Sequence, residues 1–173
     1  SKKTLSYQEA LSARTQMTLN FDLMLNYPKQ AVTDLVKDAR VRNIILNPES
    51  LDDLSELIDL IHHYKKNAGL SVNPNTAVYQ ISPYLKTLDL IQIFTIEPGG
   101  QGNPFLPQRL ELAHEVKQLG FTGLIETDGG FNKDTWPIFR NYPIDIISVG
   151  SAISHAEDPL QVYHDLLELT KEV

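Results

Sequence analysis

The sequence has no cysteine, no excess of basic charge and no long apolar run. The absence of cysteine from its 173 residues excludes disulfides and thiolate chemistry and favours a cytoplasmic protein. Fifteen Lys and Arg against 22 Asp and Glu give a formal net charge of -7, which argues against nucleic acid or a membrane surface as a partner. No segment approaches the roughly 18 apolar residues that span a bilayer, and the polar start Ser1-Lys2-Lys3 does not resemble a signal peptide.

Strand-like and helix-like segments alternate along the whole chain, which is typical of a parallel sheet built from right-handed crossover units. With 42% apolar residues, the chain can bury one core, and we expect residues 1–173 to form a single domain. Six short strands rich in Ile, Leu and Val are predicted, at residues 17–25, 43–47, 68–72, 89–96, 122–127 and 145–149.

The length of each repeating unit favours an eight-stranded (β/α) barrel, because a strand with its helix occupies roughly 25 residues. Only six such units fit in this chain. The first segment, residues 6–14, is predicted to be a helix with no strand before it, so we infer that two N-terminal strands are missing from the sequence. An open six-stranded doubly wound sheet is the alternative. Two amphipathic helices are also predicted: one capped by Ser50, and a last one from Asp158 that turns Leu160, Tyr163, Leu166 and Leu167 inward.

A glycine-rich loop follows the fourth predicted strand. It covers residues 97–105 and contains Gly99, Gly100 and Gly102. Ligands of parallel α/β folds lie at the carboxyl ends of the strands, and glycines there let backbone amides approach a phosphate because no Cβ intervenes. The pattern predicts a phosphate-binding loop, and a merely flexible loop is the alternative.

The fifth predicted strand ends in a carboxylate followed by two glycines, Asp128, Gly129 and Gly130. A carboxylate at the mouth of a barrel can act as a general acid/base or as a metal ligand. The alternative is an Asp that caps the next helix, but Asn132 and Asp134 lie closer to that position. We therefore expect Asp128 to belong to a functional site.

Two other strands carry candidate residues. Gly150 and Ser151 follow the last strand, where a turn of small residues forms the usual phosphate site of such barrels. Apolar and polar residues alternate along the first strand, and Asp22 belongs to the polar set. It is predicted to point into the barrel, where a buried carboxylate needs a metal, a Lys or a substrate hydroxyl as partner. A solvent-facing Asp on an exposed edge strand is the alternative. The five histidines lack the spacing of a metal site, and only His155 lies near a strand end.

In order and spacing, these motifs resemble those of the ribulose-phosphate 3-epimerase family over nearly the whole chain. Asp128-Gly129-Gly130 matches the family's Asp-Gly-Gly, and Gly150-Ser151-Ala152-Ile153 matches its Gly-Ser-Ala-Ile. Residues 97–105 align without gaps to the Asp-Pro-Gly-Phe-Ala-Gly-Gln-Pro-Phe of allulose-phosphate epimerases. Asn73-Pro74-Asn75-Thr76 is similar to the Asn-Pro-Ala-Thr that follows the family's fifth strand.

The resemblance implies a (β/α)8 TIM barrel of the ribulose-phosphate-binding type, with about six of the eight units in this chain. It implies a ketose-phosphate 3-epimerase, which inverts the carbon next to the carbonyl by metal-assisted proton transfer. Asp128 would be the catalytic acid/base and, with Asp22, a ligand of a divalent metal (Zn, Mn, Mg or Fe). The phosphate of a small sugar-phosphate substrate would be bound by Gly99, Gly100, Gly102, Gly129, Gly130, Gly150 and Ser151. A homo-oligomer is compatible with this picture.

The sequence also departs from the family's pattern. Asp22-Leu23-Met24 replaces His-Leu-Met, Phe94 replaces a Met, and Glu97 replaces the usual Asn or Asp. The family's second carboxylate and a metal-binding His lie on a strand that this sequence does not contain. These differences favour a ketose phosphate other than ribulose 5-phosphate as substrate. The alternatives are a non-catalytic sugar-phosphate-binding barrel without the metal site, and a decarboxylase or aldolase of the same superfamily, which needs a strand-end Lys that is absent here.

Overall fold

The computed structural model describes residues 6–100 and 102–171 and contains one parallel sheet. All six predicted strands are present, and each pairs in parallel with the next one along the chain, in the order β1-β2-β3-β4-β5-β6. A doubly wound sheet would reverse its strand order at a switch point, so that alternative is wrong. The strands are β1 Leu19–Leu23, β2 Val41–Leu46, β3 Asn67–Val72, β4 Leu90–Phe94, β5 Leu124–Asp128 and β6 Ile146–Ser148.

One helix precedes β1, the others follow strands, and the helices cover one face of the sheet. They are α1 Tyr7–Ser12, α2 Lys29–Leu35, α3 Leu54–His63, α4 Val78–Ile81, α5 Glu111–Gln118, α6 Trp136–Phe139, α7 Ser151–Ser154 and α8 Pro159–Thr170. No helix in the described ranges is long and apolar enough to cross a membrane.

The main core lies between these helices and the outer face of the sheet. The strand residues that face it are almost free of solvent contact, among them Ile44, Leu46, Ala68, Leu70, Val72, Ile91 and Ile93. From α3, the apolar stripe Leu54, Leu57, Ile58 and Ile61 packs on the same core, as its helical spacing predicts. The predicted N-cap of α3 was wrong, because the helix begins three residues later than expected. The N-cap is Asp53 and not Ser50, and its side chain accepts hydrogen bonds from the backbone amides of Ser55 and Glu56.

The inner face of the sheet is concave and carries many polar side chains, which alternate with those of the core. They are Asn20, Asp22, Asn43, Asn47, Ser71, Gln92, Glu126, Asp128 and Ser148. The apolar residues Ile45, Leu90 and Phe94 lie on the same face, in register with them. Asp22 on β1 lies near enough to Asp128 on β5 for the two carboxylates to repel each other. Four strand spacings in a flat sheet would separate them by roughly 19 Å. The sheet is therefore curled into part of a barrel, with its inner face enclosing these residues.

A second, smaller core lies beside β6, the last strand of the sheet. The side of this core that faces away from the other strands is open. Phe131, Trp136, Phe139 and Leu166 are buried there together with Leu110. A cavity of about 580 Å³ lies beside β6 between α6 and α8, on the helix side of the sheet.

Only part of the predicted inner face of α8 is buried. Leu166 is 7% exposed, whereas Leu160 is 65%, Tyr163 48% and Leu167 39% exposed. The prediction was wrong for these three residues. The physical reason is that β6 is an edge strand, so the described residues offer no further strand for this side of the helix to cover.

The turn between α2 and β2 is held by a compact ion pair. Asp38 accepts hydrogen bonds from the Arg40 side chain at 2.6 and 3.0 Å and from its backbone amide at 2.8 Å, while Arg40 also donates to the carbonyls of Leu11 and Ala13. The side-chain bonds from Arg40, followed by its amide, lower the pKa of Asp38 to about 2. The N-terminal helix is thereby fastened to the amino end of the sheet.

Because of this ion pair, we expect part of the free energy of unfolding to depend on pH in the acidic range. An acid whose pKa is lowered by folding stabilises the protein above its unfolded pKa near 4, and that contribution is lost as the pH falls towards 2. We expect Asp38→Asn to reduce the free energy of unfolding by about 1–2 kcal/mol at pH 7, after allowance for solvent screening, and most of the difference from the parent to be lost by pH 2. Urea unfolding at several pH values measures this. Glu168→Gln, which breaks the exposed pair with Lys171, is the control and should cost less than about 0.5 kcal/mol.

Candidate active site

Three loops meet at the carboxyl end of the sheet, next to the polar residues of the inner face. They follow the adjacent strands β4, β5 and β6 and contain all the glycines predicted to bind phosphate. Asp128 is the last residue of β5, paired in register with Phe94 on one side and Ser148 on the other. Asp128 and the three loops therefore lie together, as expected from the parallel strand order.

Asp128 is half-buried on the inner face. Its loss of hydration raises the pKa of its carboxyl group, and the nearby charge of Glu126 raises it further. No basic side chain in the described ranges forms an ion pair with it. A carboxylate in this setting is a better proton acceptor than a free aspartate, because its pKa lies closer to neutral pH.

Asp22 faces Asp128 from β1 across the concave surface. Partial removal from water raises its pKa to about 7, with repulsion from Asp128 and then Glu126 adding to the shift. Its side chain is still exposed to solvent, because β1 is an edge of the sheet; the curled sheet nevertheless surrounds it and replaces part of its hydration. Asp22 thus lies on an exposed edge strand and also faces the inside of the curl.

Glu126 also belongs to this acidic group, although it was not among the predicted site residues. It is 4% exposed and accepts a 2.6 Å hydrogen bond from Ser148, while Gln92 donates to the same oxygen at 3.4 Å. Its other oxygen, Oε2, is buried without a hydrogen-bond partner in the described residues. Period-two alternation along β5 places Glu126 on the same face as Asp128, and that signal could have identified it.

The glycines after Asp128 fit into closely packed positions. Gly129 and Gly130 have positive φ angles of 101° and 70°. A Cβ on Gly129 would overlap the side chain of Ile96, and one on Gly130 would overlap the ring of Phe105. Only glycine satisfies both the backbone conformation and the available space at these positions.

The other predicted loop residues lie in more open positions. Gly99 and Gly102 have φ angles of 110° and 84°, with nothing within 4 Å of where a Cβ would lie. Gly100 lies beside the Asn103 amide, which donates a 2.7 Å hydrogen bond to the Glu97 carbonyl. The open space leaves the backbone of Gly99 and Gly102 accessible, which is compatible with an amide-lined loop.

After β6, Gly150 directly precedes α7, whose first residue is Ser151. His155 follows α7 as its C-cap and is exposed, so it lies close to this end of the sheet without being enclosed by it.

A half-buried cation also lies at this end of the sheet. The guanidinium group of Arg109 donates to the carbonyls of Val72, Asn73 and Phe94 at 3.1, 2.9 and 3.4 Å. No local sequence pattern predicts this role of Arg109, because the contact joins residues far apart in the chain. Arg109 fastens the start of the helical segment after the 97–105 loop to the ends of β3 and β4.

Comparison with known proteins agrees with this arrangement. Residues 4–154 match the ribulose-phosphate 3-epimerase family. The chain belongs to the ribulose-phosphate 3-epimerase family. This membership places it among the carbohydrate epimerases, which are isomerases. The resemblance inferred from the motifs is confirmed.

Individual members of the ribulose-phosphate 3-epimerase family align with most of the chain. The Bacillus subtilis ribulose-phosphate 3-epimerase is 30% identical over 155 residues, which is 87% of this chain and 71% of the relative. The Chlamydia pneumoniae ribulose-phosphate 3-epimerase is 29% identical over 154 residues, or 86% of this chain and 67% of the relative. The chain therefore spans about two thirds of the length of these relatives.

Solved structures support a barrel fold for this member of the family. KGPDC from Streptococcus mutans, in complex with a sugar phosphate, superposes with a TM-score of 0.65 at 13% identity, covering 89% of this chain and 73% of that one. A native KDPGal structure gives a TM-score of 0.59 at 15% identity, over 90% and 69% of the two chains. At such low identity the likeness shows the fold alone, and it agrees with a curled parallel sheet of an α/β barrel.

The ribulose-phosphate 3-epimerase family generally uses a divalent metal. The acidic residues of this chain are suitable ligands for such an ion, but too few of them come together to hold it. In the described ranges no three His, Asp or Glu side chains converge closely enough to hold a metal. Asp22 and Asp128 face the same space and offer hard oxygen ligands, which suit divalent cations. These two residues form at most part of a metal site.

Proposed function

We propose that the protein is a ketose-phosphate 3-epimerase, which inverts the carbon atom next to the carbonyl of its substrate. The single observation that carries the proposal is the position of Asp128, a half-buried carboxylate with a raised pKa at the end of β5, surrounded by three glycine-containing loops in a chain of this family. The group has both the location and the basicity required of a catalytic acid/base.

The proposed reaction is a pair of proton transfers. The carbonyl makes the proton on the neighbouring carbon acidic; Asp128 removes or returns this proton on one face, and a second carboxylate acts on the opposite face, so that the configuration inverts. Half-burial favours the exchange, because it brings the pKa of Asp128 closer to the working pH. We propose that the second carboxylate belongs to a strand preceding β1, as the family pattern implies.

We further propose that the half-barrel is part of an eight-unit barrel in one domain. Two more β/α units would lie between β1 and β6, where both edge strands are unpaired in the described residues. Tyr163 and Leu167 of α8 support this proposal, because they are exposed apolar residues that line the cavity beside β6.

We propose that the substrate's phosphate is bound by backbone amides of the three loops, at Gly99, Gly100, Gly102, Gly129, Gly130, Gly150 and Ser151. The loops follow adjacent parallel strands, and their glycines leave the backbone accessible. The sugar-phosphate complex of the similarly folded KGPDC supports a small sugar phosphate as ligand. Asp22, Phe94 and Glu97, which differ from the family pattern, favour a ketose phosphate other than ribulose 5-phosphate.

We propose Asp22 and Asp128 as two ligands of a divalent metal, with the remaining ligands outside the described residues. When bound, such an ion stabilises negative charge on the oxygens of the enediolate. An aspartate in place of the family's histidine favours a harder ion, such as Mg²⁺ or Mn²⁺, over Zn²⁺. The carboxylate of Glu126, one oxygen of which is buried without a hydrogen-bond partner among the described residues, adds negative charge to the same region.

The test is solvent proton exchange by the full-length protein. Ketopentose 5-phosphates and ketohexose 6-phosphates are incubated in deuterated buffer with Mg²⁺, Mn²⁺ or Zn²⁺. We expect deuterium to enter the carbon next to the carbonyl of at least one substrate, and the epimer to accumulate. A chelator should abolish the exchange, and restored metal should recover it.

The outcomes separate the proposed activity from binding alone. Failure of every substrate to exchange its proton refutes the epimerase proposal, whatever the metal. Sugar-phosphate binding measured by calorimetry in the absence of exchange would instead support the non-catalytic barrel. Exchange that persists after complete metal removal would refute the metal-assisted mechanism while leaving proton transfer intact.

A further inference from the structure

Thr95 is the residue at which two of the proposed substrate loops meet. It follows the last residue of β4 and is fully buried. Its backbone amide donates a 2.9 Å hydrogen bond to the carbonyl of Asp128, and its carbonyl accepts one of 2.8 Å from the amide of Leu106. The loop of residues 96–105 therefore leaves and returns at Thr95, directly beside the end of β5.

The hydroxyl group of Thr95 is bonded to the turn that follows Asp128. Its Oγ1 lies 2.7 Å from the carbonyl oxygen of Gly129 and 3.1 Å from that of Asp128. A hydroxyl has one proton to donate, and the shorter contact is with Gly129. The peptide groups immediately after the Asp128 carboxylate are thus held by a side chain from the neighbouring strand.

Packing leaves this turn little freedom. Gly129 lies so close to Ile96 that a single added carbon would overlap it, and Gly130 is equally close to Phe105. Phe105 in turn stacks on Phe139, with their ring centroids 5.2 Å apart. Ile96 and Phe105 are the ends of the 96–105 loop, so the hydroxyl bond and these contacts join the two loops into one unit.

We propose that Thr95 is a positioning residue of the site, whose hydroxyl fixes the Asp128-Gly129-Gly130 turn relative to the 96–105 loop. The inference rests on the proposed function for its effect on catalysis. Proton transfer depends steeply on geometry, and a misplacement of about 1 Å can reduce the rate by roughly 100-fold. Loss of the hydroxyl frees the Gly129 carbonyl and lets the Asp128 carboxylate shift away from the substrate.

Thr127 provides a matched control on the adjacent strand. It is also fully buried and directly precedes Asp128. Its hydroxyl, unlike that of Thr95, makes no hydrogen bond to any residue that the structure describes. Thr→Val makes the same change of shape and polarity at both positions, so the difference between the two variants isolates the hydrogen bond.

The experiment compares Thr95→Val, Thr95→Ser and Thr127→Val in the full-length protein. For Thr95→Val we expect kcat to fall roughly 10- to 100-fold with a smaller change in KM, together with faster deuterium exchange of the amides in residues 126–131. Thr95→Ser keeps the hydroxyl, so its kcat and its amide exchange rates should be close to those of the parent. Thr127→Val should stay within about twofold of the parent, since it removes no partner.

Each result decides for or against the proposal. It is overturned if Thr95→Val keeps kcat within twofold, if Thr95→Ser is as impaired as Thr95→Val, or if Thr127→Val shows the same loss. If the parent protein epimerises no ketose phosphate, the proposed function fails, and the amide-exchange measurement still decides the role of Thr95. Faster exchange in Thr95→Val alone supports the positioning role, and equal exchange in all variants refutes it.

Discussion

Replacement of Asp128 by Asn is expected to reduce solvent proton exchange and epimerisation by roughly 10³-fold, the usual scale of lost acid/base catalysis. Asn has nearly the same shape but does not take up a proton at neutral pH. The backbone contacts of residue 128 with Thr95 are retained, so the turn should keep its structure. Sugar-phosphate binding should therefore persist, and the loss should appear in kcat more than in affinity.

Asp134→Asn is the matched control for this change. Asp134 is exposed, lies six residues further along the same loop region, and loses the same charge on substitution. The activity of the Asp134→Asn variant should remain within about twofold of that of the parent, as is usual for a surface substitution. An Asp128→Asn variant that keeps more than a tenth of the parent's exchange rate would contradict the catalytic assignment, whereas a loss shared by both variants would indicate a general charge effect.

Gly129→Ala is expected to lower the free energy of unfolding by about 3 kcal/mol or more. The positive φ of 101° costs an L-residue roughly 1–2 kcal/mol, and the new methyl group overlaps Ile96, which adds the 1–3 kcal/mol typical of overpacking. Thermal and urea unfolding of the full-length protein measure the change. Because the turn carries Asp128, activity should fall as well.

Two companion variants separate backbone strain from overlap. Gly102 also has a positive φ, 84°, but open space around it, so Gly102→Ala should cost only about 1–2 kcal/mol. Combination of Gly129→Ala with Ile96→Ala removes the overlapping side chain and should recover part of the lost stability. Equal costs for Gly129→Ala and Gly102→Ala, or no recovery in the double variant, would show that the contact with Ile96 is unimportant.

The strands and the strand-end motifs were predictable because both depend on short stretches of sequence. Runs of Ile, Leu and Val identified all six strands, and the parallel order followed from the alternation of strands with helices. The position of Asp128 beside the glycine loops then required no further information, since parallel strands present their carboxyl ends at one edge of the sheet.

Features that join distant residues were not predictable. Arg109 reaches the carbonyls of Val72 and Asn73, and Ser148 donates to Glu126; neither contact has a local sequence signal. The buried face of α8 was assigned incorrectly for a related reason. The pattern of apolar residues on a helix shows which face seeks a partner, but not whether the described residues contain that partner.

The strand order of the sheet also bears on how the chain folds. Each strand pairs with its neighbours in sequence, as when Leu19 meets Val41 and Glu126 meets Ile146, so every pairing closes a loop of moderate length at modest entropic cost. The sheet can therefore grow one β/α unit at a time as the chain leaves the ribosome. In the part of the chain that the structure describes, the outer edges of β1 and β6 have no partner strand. Until such edges are covered, their backbone groups are open to strand addition from other chains, so this is the step of folding most exposed to aggregation.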